Sequence, residues 1–175
     1  MNEKIIIASI QDIPSLLPLI NSAYRGEVSR GGWTTEADII DGDERIAAND
    51  LQEAMEVPGA VMLQLKNELQ ETEGCVYLKP VKRGMYLGML SVWPHLQVRG
   101  IGKKLMEAAE QYASANGFDK IVMQVINVRE ELIAWYNRQG YNLTGETVPF
   151  EDGKFGKAKI PLFFIVLEKV LKSNE

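Results

Sequence analysis

A single α+β domain built on a mixed sheet is expected of these 175 residues, for three reasons. Three apolar segments separated only by short polar turns read as an antiparallel meander. After them the pattern changes to strand, helix, strand, helix, and a glycine-rich segment leads into the first of those helices. The hydrophobic share of 46% and charged share of 25% are those of a globular chain long enough to bury a core without disulfide or metal staples. The expected domain runs over 1–175, with no repeat, low-complexity tract or linker.

The elements follow in order. Ile5 to Ile10 is rich in β-branched residues and reads as a first strand. Asp12 is placed to cap a helix with Pro14 in its first turn, and Leu16, Leu17, Ile20 and Tyr24 fall on one face of it. That helix ends near Arg25-Gly26, and Ser29-Arg30-Gly31-Gly32 forms a loop. Thr34 or Thr35 is positioned to cap a short second helix, and Leu51 to Met55 supplies another helical piece. The meander consists of Ala60 to Lys66, Cys75 to Lys79 and Met85 to Val92. The last of these is apolar enough for a central strand, and its Gly88 marks a bulge or a close backbone approach. A helix from Ile101 to Ala115 stops at Asn116-Gly117. A strand over Ile121 to Ile126, a helix over Arg129 to Gln139, and strands over Tyr141 to Thr147 and Phe163 to Glu168 complete the chain.

Composition narrows the function. A net charge of -5 without a long basic run argues against nucleic acid as a partner, and a mildly acidic surface suits a cationic acceptor such as an amine. The one cysteine, Cys75, forms no intramolecular disulfide and reads as a small core hydrophobe. The apolar run Ile5-Ile6-Ile7-Ala8 is too short for a signal peptide, and no stretch approaches the roughly 20 apolar residues of a membrane span. A cytoplasmic location with no membrane partner is expected. No His, Cys and carboxylate cluster has metal-ligand spacing, so no metal is expected. His95, the single histidine, reads as a solvated loop residue.

The informative segment is Leu90-Ser91-Val92-Trp93-Pro94-His95-Leu96-Gln97-Val98-Arg99-Gly100-Ile101-Gly102-Lys103-Lys104-Leu105. An apolar strand ends, proline prevents its continuation, and two glycines open an amphipathic helix. The unpaired N–H groups of such a helix start, with the dipole behind them, form an anion site suited to a phosphate or pyrophosphate. Lys103 and Lys104 lie in the first turn, where the dipole disfavours each cation by roughly 0.3–1 kcal/mol unless a polyanion binds. A P-loop is excluded, because Gln97 stands where its first glycine belongs and Lys104 where Ser or Thr belongs. A dinucleotide fingerprint is excluded by Leu105 in place of the third glycine. Gln-x-x-Gly-x-Gly remains.

That pattern resembles the acyl-CoA pyrophosphate loop of the GNAT superfamily of N-acetyltransferases. Strand, proline, motif and helix stand in the family's order, followed by Tyr136 four residues before Gly140-Tyr141, where the family commonly has tyrosine, three residues, then Gly-Phe or Gly-Tyr. The resemblance spans essentially the whole chain. Asn21 to Glu27 and Gly32 to Ala37 further resemble a bacterial subgroup whose acceptor is open.

The resemblance implies a three-layer α/β/α fold with about seven strands, acetyl-CoA as cosubstrate, and an amine acceptor in a small molecule or peptide. The backbone of Leu90, Ser91 and Val92 would pair with the pantetheine arm. Val98, Gly100, Ile101, Gly102 and Lys103 would hold the pyrophosphate through N–H groups, and Gln97 and Arg99 would add side-chain contacts. An N–H near Leu90 would meet the oxyanion, and Tyr136 would protonate the departing thiolate. The family's asparagine seven residues before that tyrosine is replaced by Arg129, placed to reach the cofactor phosphates. No carboxylate lies on the Met85 to Val92 strand, so Glu27 is the candidate general base. Tyr24, Arg25, Trp33 and Glu36 are the candidate acceptor pocket. Homodimers are common in the family. The competing expectation is an acyl-CoA-binding module of the same fold without catalysis, which would need neither Tyr136 nor an acceptor cleft.

Overall fold

The computed structural model describes residues 3–154 and 156–172. Strand β1 covers Lys4–Ile7, and a one-turn 3-10 segment over Ile10–Asp12 leads into helix α1, Ile13–Tyr24. The first strand is shorter than its β-branched run because Ser9 begins a capping box. Its hydroxyl accepts from Gln11 N at 3.2 Å, and the Asp12 carboxylate accepts from Ser9 N at 2.8 Å. Asp12 precedes α1 but its side chain serves this turn rather than the helix.

A four-residue helix α2 occupies Gly26–Ser29, and a two-residue strand β2 Ile40–Asp41. The short helix expected after Thr34 or Thr35 is absent among the described residues. Those hydroxyls tie the loop down instead: Thr34 Oγ1 donates to Ala23 O at 2.8 Å, and Thr35 Oγ1 accepts from Ala37 N at 3.2 Å within a single turn. Helix α3, Ala48–Glu56, precedes strands β3 (Val61–Lys66), β4 (Thr72–Val81) and β5 (Gly84–Val92). Helix α4 (Ile101–Ala115), β6 (Lys120–Ile126), helix α5 (Glu130–Arg138), β7 (Asn142–Pro149), β8 (Lys157–Ala158) and β9 (Phe163–Val170) follow.

Seven strands form one sheet in the order β1-β3-β4-β5-β6-β9-β7, antiparallel except between β5 and β6. The period-2 alternation of the strands divides the core in two. On one face Leu63, Leu65, Val76, Leu78, Met85 and Leu87 pack with Leu105, Met106 and Ala109 of α4. On the other, Met62, Cys75 and Tyr77 pack with Leu16, Leu19 and Ile20 of α1 and Leu51 of α3. The expected three layers and central β5 are therefore present. The β2–β8 ribbon, Ile40 opposite Ala158, was not expected; strands of two residues carry too little pattern to be read.

Candidate active site

The site begins with a break in the sheet. β5 pairs with its parallel neighbour β6 only at Met85↔Ile121 and Tyr86↔Val122. Against β4, Cys75 faces Ser91 while Tyr77 faces Gly88, so Met89 and Leu90 together oppose Val76. That bulge bends β5 away from β6, and Met89 takes the left-handed conformation (φ 51°). Gly88 is required by a close approach, because a Cβ there would meet the Tyr86 ring at 2.9 Å. Beyond Tyr86 the two strands diverge, and two cavities open along the gap.

The larger cavity, about 690 Å³, runs between the end of β5, the start of α4 and one face of α5. Leu90, Val92, Gln97, Val98, Gly100, Ile101, Gly102 and Lys103 line it, with Tyr24, Trp33 and Tyr136. Gly100 caps α4 at φ +83°, and a Cβ there would meet nothing within 4 Å, so its face is open. Lys104 N makes the first intrahelical bond, to Gly100 O at 3.1 Å. The N–H groups of Ile101, Gly102 and Lys103 precede it and have no carbonyl one turn back to reach. These residues fit a pyrophosphate: a concave loop, outward N–H groups, a helix dipole and an exposed lysine.

The smaller, more enclosed cavity, about 90 Å³, lies on the other side of the junction, with Arg25, Glu36, Arg45, Tyr86, Phe150 and Phe164 in its wall. Tyr24, Leu90, Leu132 and Tyr136 line both cavities. The Tyr24 hydroxyl donates to the Leu90 carbonyl on the diverging strand. Tyr136 sits in an aromatic row, 5.2 Å from Trp135 and 6.1 Å from Tyr141 between ring centroids. Burial first, then the neighbouring Tyr24, raises the Tyr136 hydroxyl well above an ordinary phenol, so it stays protonated at neutral pH.

Several expected residues take other positions. Gln97 does not present its side chain to the helix start. Its Oε1 accepts from Trp33 N at 2.8 Å and Thr34 N at 3.4 Å, while Nε2 donates to Thr34 Oγ1 at 2.8 Å and Val92 O at 3.1 Å. It braces the 32–34 loop against the end of β5. Arg129 is turned from the phosphate loop to Glu36 Oε2 (2.8 Å) and Thr34 O (2.9 Å), and Arg25 takes Glu36 Oε1. Opposite charge is what holds it there. Glu27 is exposed, pairs with Arg30 at 3.1 Å and lines neither cavity; at the turn after α1 it points outward to solvent. Arg99 is exposed and outside the lining, and buried Ser91 turns its hydroxyl to Met89 O at 3.0 Å. Trp33 belongs to the larger cavity rather than the smaller, 6.3 Å from Trp135.

Other lining residues were missed. Leu132 and Gln139 stand four before and three after Tyr136, so extending its face by three and four residues finds them; Trp135 and Arg138 join the same wall. Arg45 comes from an irregular segment before α3 and carries no sequence signal. Among the described residues no group of His, Cys, Asp and Glu is placed to hold a metal, and no helix is long and apolar enough to cross a membrane.

The family model described as acetyltransferase (GNAT) family matches residues 16–141. The chain belongs to this GNAT family. Its structure resembles that of ribosomal-protein-S18-alanine N-acetyltransferase from Escherichia coli, with TM-score 0.72, 14% identity, and 99% and 97% of the two chains covered. The PaiA N-acetyltransferase from Thermoplasma acidophilum, solved in complex with coenzyme A, gives TM-score 0.69, 17% identity, and 97% and 99% coverage. YncA from Salmonella typhimurium, solved with its cofactor acetyl-CoA, gives TM-score 0.69, 18% identity, and 100% and 97% coverage. At such identities these GNAT structures share the fold. No curated protein sequence matches.

Proposed function

We propose that the protein is an N-acetyltransferase that moves an acetyl group from acetyl-CoA to a primary amine by direct attack. The carrying observation is that the two cavities meet at Tyr24, Leu90 and Tyr136, and that the larger one ends at the Gly100 helix start. Acetyl-CoA supplies the activated thioester. The chain's residues do the rest: N–H groups from Ile101 to Lys103 bind pyrophosphate, and the bulged end of β5 aligns the arm. An amine in the smaller cavity forms the C–N bond as the C–S bond breaks. Its excess proton leaves to water, since Glu27 faces solvent and both Glu36 oxygens are taken by arginines. Tyr136 donates to the leaving thiolate and regains a proton from solvent.

A cofactor-binding module without catalysis would use the larger cavity alone; the second cavity opening on the same tyrosine favours the enzyme. The test is calorimetry with acetyl-CoA together with coenzyme A release across an amine panel. Binding is expected for the native protein and lost in Gly100→Glu, whose side chain projects from an open face into the loop with the wrong charge. No heat with millimolar acetyl-CoA, or unchanged affinity in a folded Gly100→Glu variant, refutes the reading.

A further inference from the structure

We infer that the acceptor is a small amine that also carries a carboxylate, an α-amino acid or close analogue, with the carboxylate bound by Arg45 beside the paired Arg25. This deepens the acetyltransferase reading and rests on it for the amine.

The first observation is charge. Among the described residues lining the smaller cavity, two are guanidinium groups, Arg25 and Arg45, and one is a carboxylate, Glu36, which is 7% exposed. Glu36 pairs with Arg25 through one oxygen and with Arg129 through the other, so it has no oxygen left for a third guanidinium. Two cations against one carboxylate leave an excess of one positive charge in the wall of a half-enclosed space. Uncompensated buried charge is costly unless a counter-ion arrives.

The second observation is an unused donor. Arg45 Nη1 is shut off from solvent and meets no acceptor among the described residues. A guanidinium carries five N–H donors in a planar fork that matches a carboxylate. Arg45 also lines the cavity, so the other edge of the same fork is placed to meet an anion there.

The third observation is spacing. The Arg45 guanidinium carbon lies 4.3 Å above the centre of the Tyr24 ring, and the hydroxyl of that ring reaches the Leu90 carbonyl at the junction. One phenol therefore separates the cation from the point of attack. That distance suits an amine and a carboxylate on one carbon. The volume of about 90 Å³ suits a small molecule rather than a polypeptide. The mildly acidic surface, which favours a cationic acceptor, does not extend into this cavity.

The test compares acceptors that differ only in the anion: leucine with isoamylamine and leucinamide, and phenylalanine with phenethylamine and phenylalaninamide. Each is titrated into the protein saturated with coenzyme A, and each is assayed with acetyl-CoA. At least one free amino acid should bind about 10-fold or more tightly than its amine and amide. Arg45→Gln should abolish that preference by raising the amino-acid KM about 10-fold or more, leaving acetyl-CoA affinity near native. Amines or amides that bind as well as the acids overturn the inference, as does failure of both amino acids to bind at millimolar concentration. Amino-acid binding without acetyl transfer would instead remove the enzymatic reading and leave the carboxylate site standing. Should Arg45→Gln fail to fold, the acid-to-amine ratio on the native protein still decides.

Discussion

Gln97 gives the sharpest division between what its motif implies and what its side chain does. As a motif residue it should touch the cofactor; in the structure it joins Trp33, Thr34 and Val92 through four hydrogen bonds. Gln97→Ala removes three bonds of good length and one weak one at 3.4 Å. It leaves Trp33 N and Val92 O without this partner at a half-buried seam, where water replaces part of what is lost. At about 0.5–1.5 kcal/mol for each good bond, the expected loss of stability is about 2–4 kcal/mol. For a chain of this size that lowers Tm by roughly 4–16 °C. Thermal unfolding without ligand measures it, and calorimetry with acetyl-CoA measures affinity on the same sample. Gln97→Glu retains the acceptor oxygen and should recover part of the stability. An Ala variant melting within about 1 °C of native, but with acetyl-CoA affinity reduced about 10-fold, would refute the brace and return Gln97 to the cofactor.

Four further outcomes follow, two at the site and two at the buried core residue Cys75. Tyr136→Phe should lower turnover about 10²–10⁴-fold with acetyl-CoA affinity and Tm nearly unchanged, and steady-state kinetics showing full turnover with chemistry rate-limiting would make it a packing residue. Glu27→Gln should leave kcat and KM within about 2-fold of native, since it removes only an exposed ion pair; a loss of two orders of magnitude would restore it as the base. Cys75 is 0% exposed and its thiol is pushed by burial up to about 12. Iodoacetamide at pH 8 should therefore label it only after unfolding. Its folded pKa is raised, so the unfolded chain gives up this proton first. Its contribution to stability is full below the unfolded pKa near 9 and falls away as pH rises toward 12, and a urea midpoint unaffected by Cys75→Ala across pH 8–11 would contradict this.

The fold was legible where pattern is long and local. Helix α4 has the expected bounds, Ile101–Ala115, because an apolar face of several turns is flanked by a glycine at each end. The meander was legible for the same reason, as period-2 runs with polar turns. The phosphate loop was legible because it is contiguous: backbone conformation at Gly100 and helix N–H groups are set within a few residues. The acceptor side was not. Glu36, Arg25 and Arg129 meet from three parts of the chain, and Arg129 lies 93 residues from Glu36. No spacing rule reports that kind of pairing. The expectation for Arg129 rests on its standing seven residues before Tyr136, where the resembling family has asparagine, whereas a buried carboxylate decides its direction. The outward direction of Glu27 was not legible, because the one-turn helix α2 fixes where the backbone goes but not which way a flexible carboxylate points.

On the proposed reading, the same charge arrangement bears on how an acceptor amine would lose its proton without a dedicated base. An incoming acceptor carries an ammonium, and only its neutral form attacks a carbonyl. The smaller cavity presents an excess of guanidinium charge and a carboxylate whose two oxygens are already paired. A like charge nearby disfavours a protonated amine, so on the proposed reading the cavity would promote release of the proton to water before attack. On the proposed reading the acceptor's carboxylate meets Arg45 and offsets part of this field, while its amine lies one ring's length away at Leu90. The bulge at Met89 then acquires a double purpose. It parts β5 from β6, which on that reading would let thioester and amine meet, and it turns the Leu90 carbonyl to the Tyr24 hydroxyl, fixing the ring that supports Arg45. Strand geometry, aromatic packing and cavity charge are thus joined at one residue, and shortening β5 by one position would disturb all three together.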